Sequence, residues 1–193
     1  MKKMVLKGAA ILGTLALLLV GVSTALAGSF KFSGTFKLGS LITEGYLSGI
    51  GNTDVNMELI AYGTTRAYCQ NKGGTQAPGR NPINIQLTAT GLFQTDQNGR
   101  VFVSLETADP NLSNLAVSPS PKTAGCPNGK WTVVGLSNDV NWTRADIVGT
   151  KQADGTVVVN QTYACTTTFG TADNNNDGVP DATGVSCTLV SSK

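Results

Sequence analysis

The chain contains no histidine and few charged residues, and these absences exclude several classes of function. Without histidine there is no Ser-His-Asp or Cys-His catalytic centre and no histidine-ligated metal site. Glutamate occurs only at Glu44, Glu58 and Glu106, each inside an apparent strand, whereas glycoside hydrolysis needs two facing carboxylates. We therefore expect a protein that is not an enzyme.

Basic residues are also too sparse and scattered for a nucleic-acid partner. The full chain has 14 basic and 12 acidic residues, a net charge of +2. Three of the basic residues, Lys2, Lys3 and Lys7, precede position 28, so residues 28–193 hold eleven basic and twelve acidic residues, a net charge of −1. A near-neutral surface without a basic stripe cannot neutralise a row of phosphates, so nucleic-acid binding is not expected.

The first 27 residues have the three parts of a bacterial secretory signal peptide. The positive start is followed by an almost wholly apolar stretch from Gly8 to Val20 and by Ala25-Leu26-Ala27, which has small residues at the two positions read by a signal peptidase. We predict cleavage after Ala27 and a secreted, extracellular protein with no membrane contact, or one held at the cell surface. The alternative is an uncleaved anchor, because residues 8–27 are about long enough to span a bilayer.

The cysteines all follow the predicted cleavage site, at Cys69, Cys126, Cys165 and Cys187. An even number in an oxidising compartment predicts two disulfides, for which three pairings exist. We favour Cys69–Cys126, joining two long loops, and Cys165–Cys187, closing a short one. A thiolate metal site is disfavoured because the chain has neither a Cys-x-x-Cys spacing nor histidine.

Apolar and polar residues alternate through the sequence, as in Ile83–Thr88 and Val101–Glu106, and this period of two is typical of strands. Gln97-Asn98-Gly99 and Ala153-Asp154-Gly155 are predicted to be hairpin turns. Residues 28–193 are therefore predicted to form a single all-β domain. We favour a two-sheet β-sandwich of about nine or ten strands with immunoglobulin-like or jelly-roll connections over a barrel.

Three segments are predicted to be irregular. Residues 71–82 and 109–130 are rich in glycine and proline, and each lies beside one member of the Cys69/Cys126 pair. Residues from about 168 to 184 are predicted to be an insertion between two paired strands.

The third segment contains the most specific pattern in the chain, Asp-Asn-Asn-Asn-Asp-Gly-Val-Pro-Asp at residues 173–181. Calcium prefers six to eight hard oxygen ligands, and alternate residues can turn their oxygens inward to supply them. Asp173, Asn175 and Asp177 would take the first, third and fifth places. Val179 would offer its backbone carbonyl, and Asp181 would follow. A plain polar turn is the alternative, because Asn and Asp also favour turns.

These nine residues resemble the bacterial thrombospondin type 3-like repeat, whose core reads Asp-x-Asp/Asn-x-Asp-Gly-x-x-Asp. The resemblance implies calcium ligation at the five positions named above and a structural role for the ion. The unit appears once here, not in tandem, and Gly184 stands where an EF-hand loop would have its bidentate Glu. A lone site of this kind is expected to bind calcium with a dissociation constant of about 10⁻⁴ to 10⁻³ M.

The two tryptophans, Trp131 and Trp142, are candidates for contact with a ligand such as a sugar ring, and burial in the core is the alternative. We expect a non-enzymatic secreted protein with a structural, cell-surface or extracellular-matrix role. A secreted carbohydrate- or ligand-binding module is the alternative. Other surface proteins, glycans or further copies of the chain are the expected partners.

Overall fold

Nine antiparallel strands form the regular framework of the computed structural model, which describes residues 31–37, 40–176 and 178–193. They form two sheets, of three and six strands, so the predicted all-β, two-sheet fold is confirmed. The predicted signal peptide lies outside the described residues. The strands are β1 (Lys31–Lys37), β2 (Ile42–Ser48), β3 (Asp54–Gln70), β4 (Gln76–Gln94), β5 (Val101–Glu106), β6 (Thr132–Leu136), β7 (Asn141–Lys151), β8 (Val157–Phe169) and β9 (Ala182–Ser192).

The smaller sheet has the order β1-β2-β5, and the larger one has the order β4-β3-β7-β8-β9. β3 is 17 residues long and organises the larger sheet. β4 pairs along one side of it; on the other side, β7 pairs with Val55–Thr64 and β6 with Ala67–Gln70. Among the described strands, β4 and β9 stand at the two ends of this order, and the short β6 pairs with β3 alone.

The core lies between the two sheets. Every second residue of β3 is buried, beginning with Val55, Met57 and Leu59, because successive side chains of a strand point to opposite faces. Leu47 and Val103 of the smaller sheet are also fully buried. The alternation seen in the sequence therefore marks the inner face correctly.

Trp142 of β7 is among the largest fully buried side chains, so it is a core residue and not a ligand contact. It lies on the inner face of the larger sheet, in register with Gly63 of β3. The absence of a side chain at Gly63 makes room for it, because a Cβ there would lie 3.1 Å from the Trp142 Cε3 atom.

The turn at Asn98-Gly99 is present but does not form the predicted hairpin. It joins β4 to β5, and these strands belong to different sheets. Gly99 has a φ of 70°, and a Cβ there would lie 2.5 Å from the Gly51 backbone nitrogen, so the turn packs against the connection between β2 and β3. The turn at Asp154-Gly155 does join two paired strands, β7 and β8, as predicted.

The predicted loop at residues 71–82 is wrong, because β4 begins at Gln76 and leaves only five residues between the strands. Pro78 and Pro82 lie within β4. Proline is tolerated there because β4 is an edge strand, whose outward N–H groups have no partner in the sheet. The loop predicted at residues 109–130 is present and contains one turn of 3-10 helix (Leu112–Asn114) and one short helix, α1 (Pro121–Ala124).

No helix in the described part of the chain has the length and apolar character to cross a membrane.

Candidate functional site

The predicted calcium segment is a loop between β8 and β9. Cys165 and Cys187 lie directly opposite each other below it and form the predicted disulfide, with their Cα atoms 4.0 Å apart. At the base, Gly170 N donates to Asp181 O at 2.8 Å, and Asp181 N donates to Ala172 O at 2.8 Å. The insertion between paired strands is therefore closed both covalently and by backbone hydrogen bonds.

Two of the predicted ligand carboxylates accept hydrogen bonds from backbone amides of the same loop. Asp173 Oδ2 accepts a hydrogen bond of 2.9 Å from the Gly178 backbone, and Asp181 Oδ1 accepts one of 3.1 Å from the Asn174 backbone. Asn176 and Gly178 have φ values of 56° and 79°, the left-handed conformation that Asn and Gly adopt most readily. A carboxylate oxygen has two lone pairs, so one that accepts a single hydrogen bond can also bind a cation.

Asp139, in the connection between β6 and β7, reaches the same loop and was missed by the sequence pattern. Its Oδ2 accepts a 2.6 Å hydrogen bond from Asn175 Nδ2, and its Oδ1 accepts a 2.7 Å bond from the Ala182 backbone. It lies 34 residues before Asp173 in the sequence. The sequence spacing between Asp139 and Asp173 does not indicate a contact. The pairing of β7 with β8 must be known before Asp139 can be placed beside this loop.

The described ligand positions do not by themselves make a metal centre. Asp177, the central position of the pattern, lies outside the described residues. Among the described residues, no three His, Cys, Asp or Glu side chains are grouped closely enough to hold an ion. Val179 lines a shallow groove with Asp139 and Arg66. The donor set of carboxylate, amide and carbonyl oxygens nevertheless has the chemistry that calcium prefers.

A second candidate site lies beside the other disulfide, Cys69–Cys126, which also forms as predicted with its Cα atoms 5.7 Å apart. A groove of about 790 Å³ is lined by residues 71–73 on one side and 128–131 on the other. We call it the Trp131 groove. Each wall begins two residues after one of the bonded cysteines, so the disulfide joins the two walls. Trp131, one of the predicted ligand contacts, is half-buried in this groove.

An exposed aromatic pair on the outer face of the smaller sheet was also missed. Tyr46 and Phe102 lie opposite each other in β2 and β5, are each 48% exposed, and have ring centroids 5.3 Å apart. The Arg100 guanidinium lies 4.1 Å from the Tyr46 ring centroid. The signal was available, because Phe102 falls on the polar parity of an otherwise alternating strand.

Three acidic side chains on the outer faces form ion pairs or hydrogen bonds. Glu44 forms an ion pair with Lys37, and Glu106 accepts a 2.6 Å hydrogen bond from Ser40 Oγ. Asp146 binds the Arg144 guanidinium through both oxygens, at 3.0 and 2.6 Å. The hydrogen bond to Asp146, and then the negative charge of that carboxylate, raise the pKa of Arg144.

No known protein family, curated protein or solved structure matches this chain.

Proposed function

We propose that this chain is a non-enzymatic extracellular β-sandwich module with a structural role at the cell surface or in the extracellular matrix, and that copies of it associate through the free edge of β9. Its two disulfides suit an oxidising, extracellular compartment. The single observation that carries the proposal is the character of the β9 edge.

β9 pairs with β8 on one side, and no described strand pairs with its other side. Near its end Leu189 is 52% exposed and Val190 is 65% exposed. The strand contains no proline and no charged residue among its eleven residues. Natural proteins usually protect an open edge with charges, proline or a covering segment, so an uncharged edge without proline is suited to pairing with another strand.

A second copy of the chain is the occupant that we propose for this edge. Two β9 strands related by a two-fold axis can pair antiparallel, and such an arrangement is self-complementary and closed. The disulfide to Cys165 holds Cys187 at the centre of the strand, so the edge is ordered before it meets a partner.

Calcium is proposed as a structural ion in the loop at residues 173–181. The support is the donor chemistry of Asp173 and Asp181, to which Asp139 adds a carboxylate from a neighbouring connection. This chain's residues would bind the ion and hold the base of β9 in place. The ion would supply charge neutralisation and order, not chemistry.

The proposal that the chain is not an enzyme is supported by the interactions of Glu44 and Glu106. Catalytic carboxylates of glycosidases face each other across a substrate, one of them with a raised pKa. Here Glu44 is bound to Lys37 and Glu106 to Ser40, on the outer face of an open sheet.

Sedimentation velocity tests the association directly. The exported protein is measured from micromolar to millimolar concentration, beside the variants Val190→Lys and Val117→Lys. Val117 is an 81% exposed loop residue, so it controls for the added charge alone. We expect a concentration-dependent dimer for the wild type and Val117→Lys, and a monomer for Val190→Lys. A wild type that stays monomeric, or a Val190→Lys variant that associates equally well, would contradict the proposal.

A carbohydrate-binding module is the second candidate, and the Trp131 groove favours it. Trp142 no longer supports this function because it is buried, so the hypothesis depends on Trp131 alone. The volume of the groove falls within the range of roughly 300 to 1,000 Å³ that is usual for ligand sites.

A further inference from the structure

We propose that the Trp131 groove binds an anionic saccharide, with the Trp131 indole under a sugar ring and the ammonium groups of Lys72 and Lys130 on its acidic substituents. The proposal rests on the second candidate function and names the ligand class of that site. It is independent of association through β9.

The charge of the groove selects an anion. Lys72 and Lys130 lie on opposite walls, and the lining contains no acidic residue. Neither lysine belongs to an ion pair, since the pairs found among the described residues are Lys37–Glu44 and Arg144–Asp146. Two lysines outside these ion pairs thus line one groove on a chain whose residues 28–193 carry a net charge of −1.

The side chains of Asn71 and Asn128 also favour an anionic ligand. Asn71 Oδ1 accepts hydrogen bonds from the backbones of Gly73 and Thr75, at 2.9 and 3.0 Å. Asn128 Oδ1 accepts one of 3.0 Å from the Lys130 backbone. The two bonds to Asn71 use both lone pairs of its amide oxygen, and the bond to Asn128 uses one. The Nδ2 groups of both side chains are donors only, so these side chains suit an acceptor-rich ligand.

The backbone of the groove favours a saccharide over an acidic peptide. Asn71 N donates to Thr75 O at 3.0 Å, Gly74 N donates to Asn71 O at 3.1 Å, and Trp131 N donates to Asn128 O at 3.2 Å. A peptide that binds by strand addition needs unpaired backbone groups, and these are used within the turns. A sugar ring needs an aromatic face and side-chain donors instead.

The Cys69–Cys126 bond pre-organises the site. Residues 71–73 follow Cys69, and residues 128–131 follow Cys126, so breaking the bond would leave the two walls joined by the pairing of β3 with β6. The walls would then be less firmly fixed before a ligand bridges Lys72 and Lys130, at a cost in affinity.

Isothermal titration calorimetry with trigalacturonate and with its fully methyl-esterified form tests the proposal on the exported protein. The two probes share their rings and differ in charge. A sulfated galactose disaccharide in parallel distinguishes sulfate from carboxylate as the preferred anion, and either one supports the proposal. The variants are Trp131→Ala, Trp131→Phe and the double change Lys72→Gln/Lys130→Gln. The control is Lys122→Gln, an exposed lysine of α1 outside the groove lining.

We expect the acid to bind more tightly than the ester, with an affinity that falls as salt is added. Trp131→Ala should weaken binding at least about tenfold, and Trp131→Phe less, because an aromatic face remains. The double lysine variant should lose about tenfold and also lose its preference for the acid. Lys122→Gln should bind as the wild type does.

Three results would overturn the proposal. Equal binding of the ester, with dependence on Trp131, would keep a carbohydrate-binding function and remove the anionic specificity. Hexaglutamate is titrated as an acidic peptide probe, and tighter binding of it than of trigalacturonate would indicate a peptide site. No binding of any probe at millimolar concentration would remove both this inference and the second candidate function.

Discussion

The backbone amide of Trp142 donates a 2.8 Å hydrogen bond to the hydroxyl oxygen of Thr167, and both residues are buried. The pairing between β7 and β8 reaches only as far as Arg144 opposite Ala164. The Thr167 side chain therefore supplies the acceptor that a strand carbonyl would otherwise provide, at the position where the largest core residue enters the sandwich.

Replacing Thr167 by Val should lower the free energy of unfolding by about 1 to 3 kcal/mol, because a buried N–H would lose its acceptor. Thr166→Val is a matched control, since Thr166 is exposed on the opposite face of the same strand, and it should change stability by less than about 0.5 kcal/mol. Urea unfolding of both variants measures the difference. Equal effects would mean that the Trp142–Thr167 bond contributes nothing specific.

The two disulfides should contribute differently to stability. Cys165 and Cys187 are 22 residues apart, and Cys69 and Cys126 are 57 apart. Constraining the unfolded chain is worth about 3 kcal/mol for the shorter loop and about 4 kcal/mol for the longer one. We expect urea unfolding to show a larger loss of unfolding free energy when Cys69 and Cys126 are both replaced by alanine than when Cys165 and Cys187 are. A larger loss from the Cys165/Cys187 variant would contradict this expectation.

Calcium should raise the melting temperature. At ten to one hundred times the dissociation constant, binding stabilises the folded state by about 1.4 to 2.7 kcal/mol. For a chain of this size, that corresponds to about 3 to 10 °C. Asp173→Asn and Asp181→Asn should remove most of the shift measured by differential scanning calorimetry. An equal shift in the variants, or no shift in the wild type at millimolar calcium, would leave residues 173–181 as a plain turn.

Because of Tyr163, the free energy of unfolding should fall at alkaline pH. Burial raises the pKa of its phenol, whose hydroxyl donates a 2.8 Å hydrogen bond to Gln161 Oε1. In the unfolded chain, a tyrosine has a pKa of about 10. The contribution of the neutral phenol is therefore fully present below that pH and is lost as the pH rises through the higher folded-state pKa. The free energy of unfolding should fall less steeply above about pH 10 in Tyr163→Phe than in the wild type; parallel curves would contradict this.

The fold class could be predicted from the sequence because strand alternation is a local signal. Apart from Phe102, Val101–Glu106 has its apolar residues on one parity, and the structure buries Val103 and Leu105. The sequence did not show that the Asn98-Gly99 turn connects two sheets, because the same residues are found both in hairpins and in connections between sheets. Which sheet receives β5 depends on long-range burial and not on the turn.

The candidate sites were predicted only in part, for a similar reason. The pairing of both disulfides could be predicted from the segments that the cysteines flank. Lys72 and Lys130 become neighbours only through the pairing of β3 with β6 and the bond beside it. Asp139 likewise meets Asn175 through tertiary structure alone. Such partners are separated by tens of residues, and a single sequence has no pattern that links them.

Hydrogen exchange of the β9 backbone amides, at low and at high protein concentration, tests association through this strand most directly. Strand pairing between copies would protect the β9 amides that do not bond to β8, and it would do so only at high concentration. Amides of β3, inside the same sheet, serve as the internal reference. The account predicts that slowing is confined to β9 and is absent in Val190→Lys. Exchange of β9 that is the same at both concentrations would contradict it.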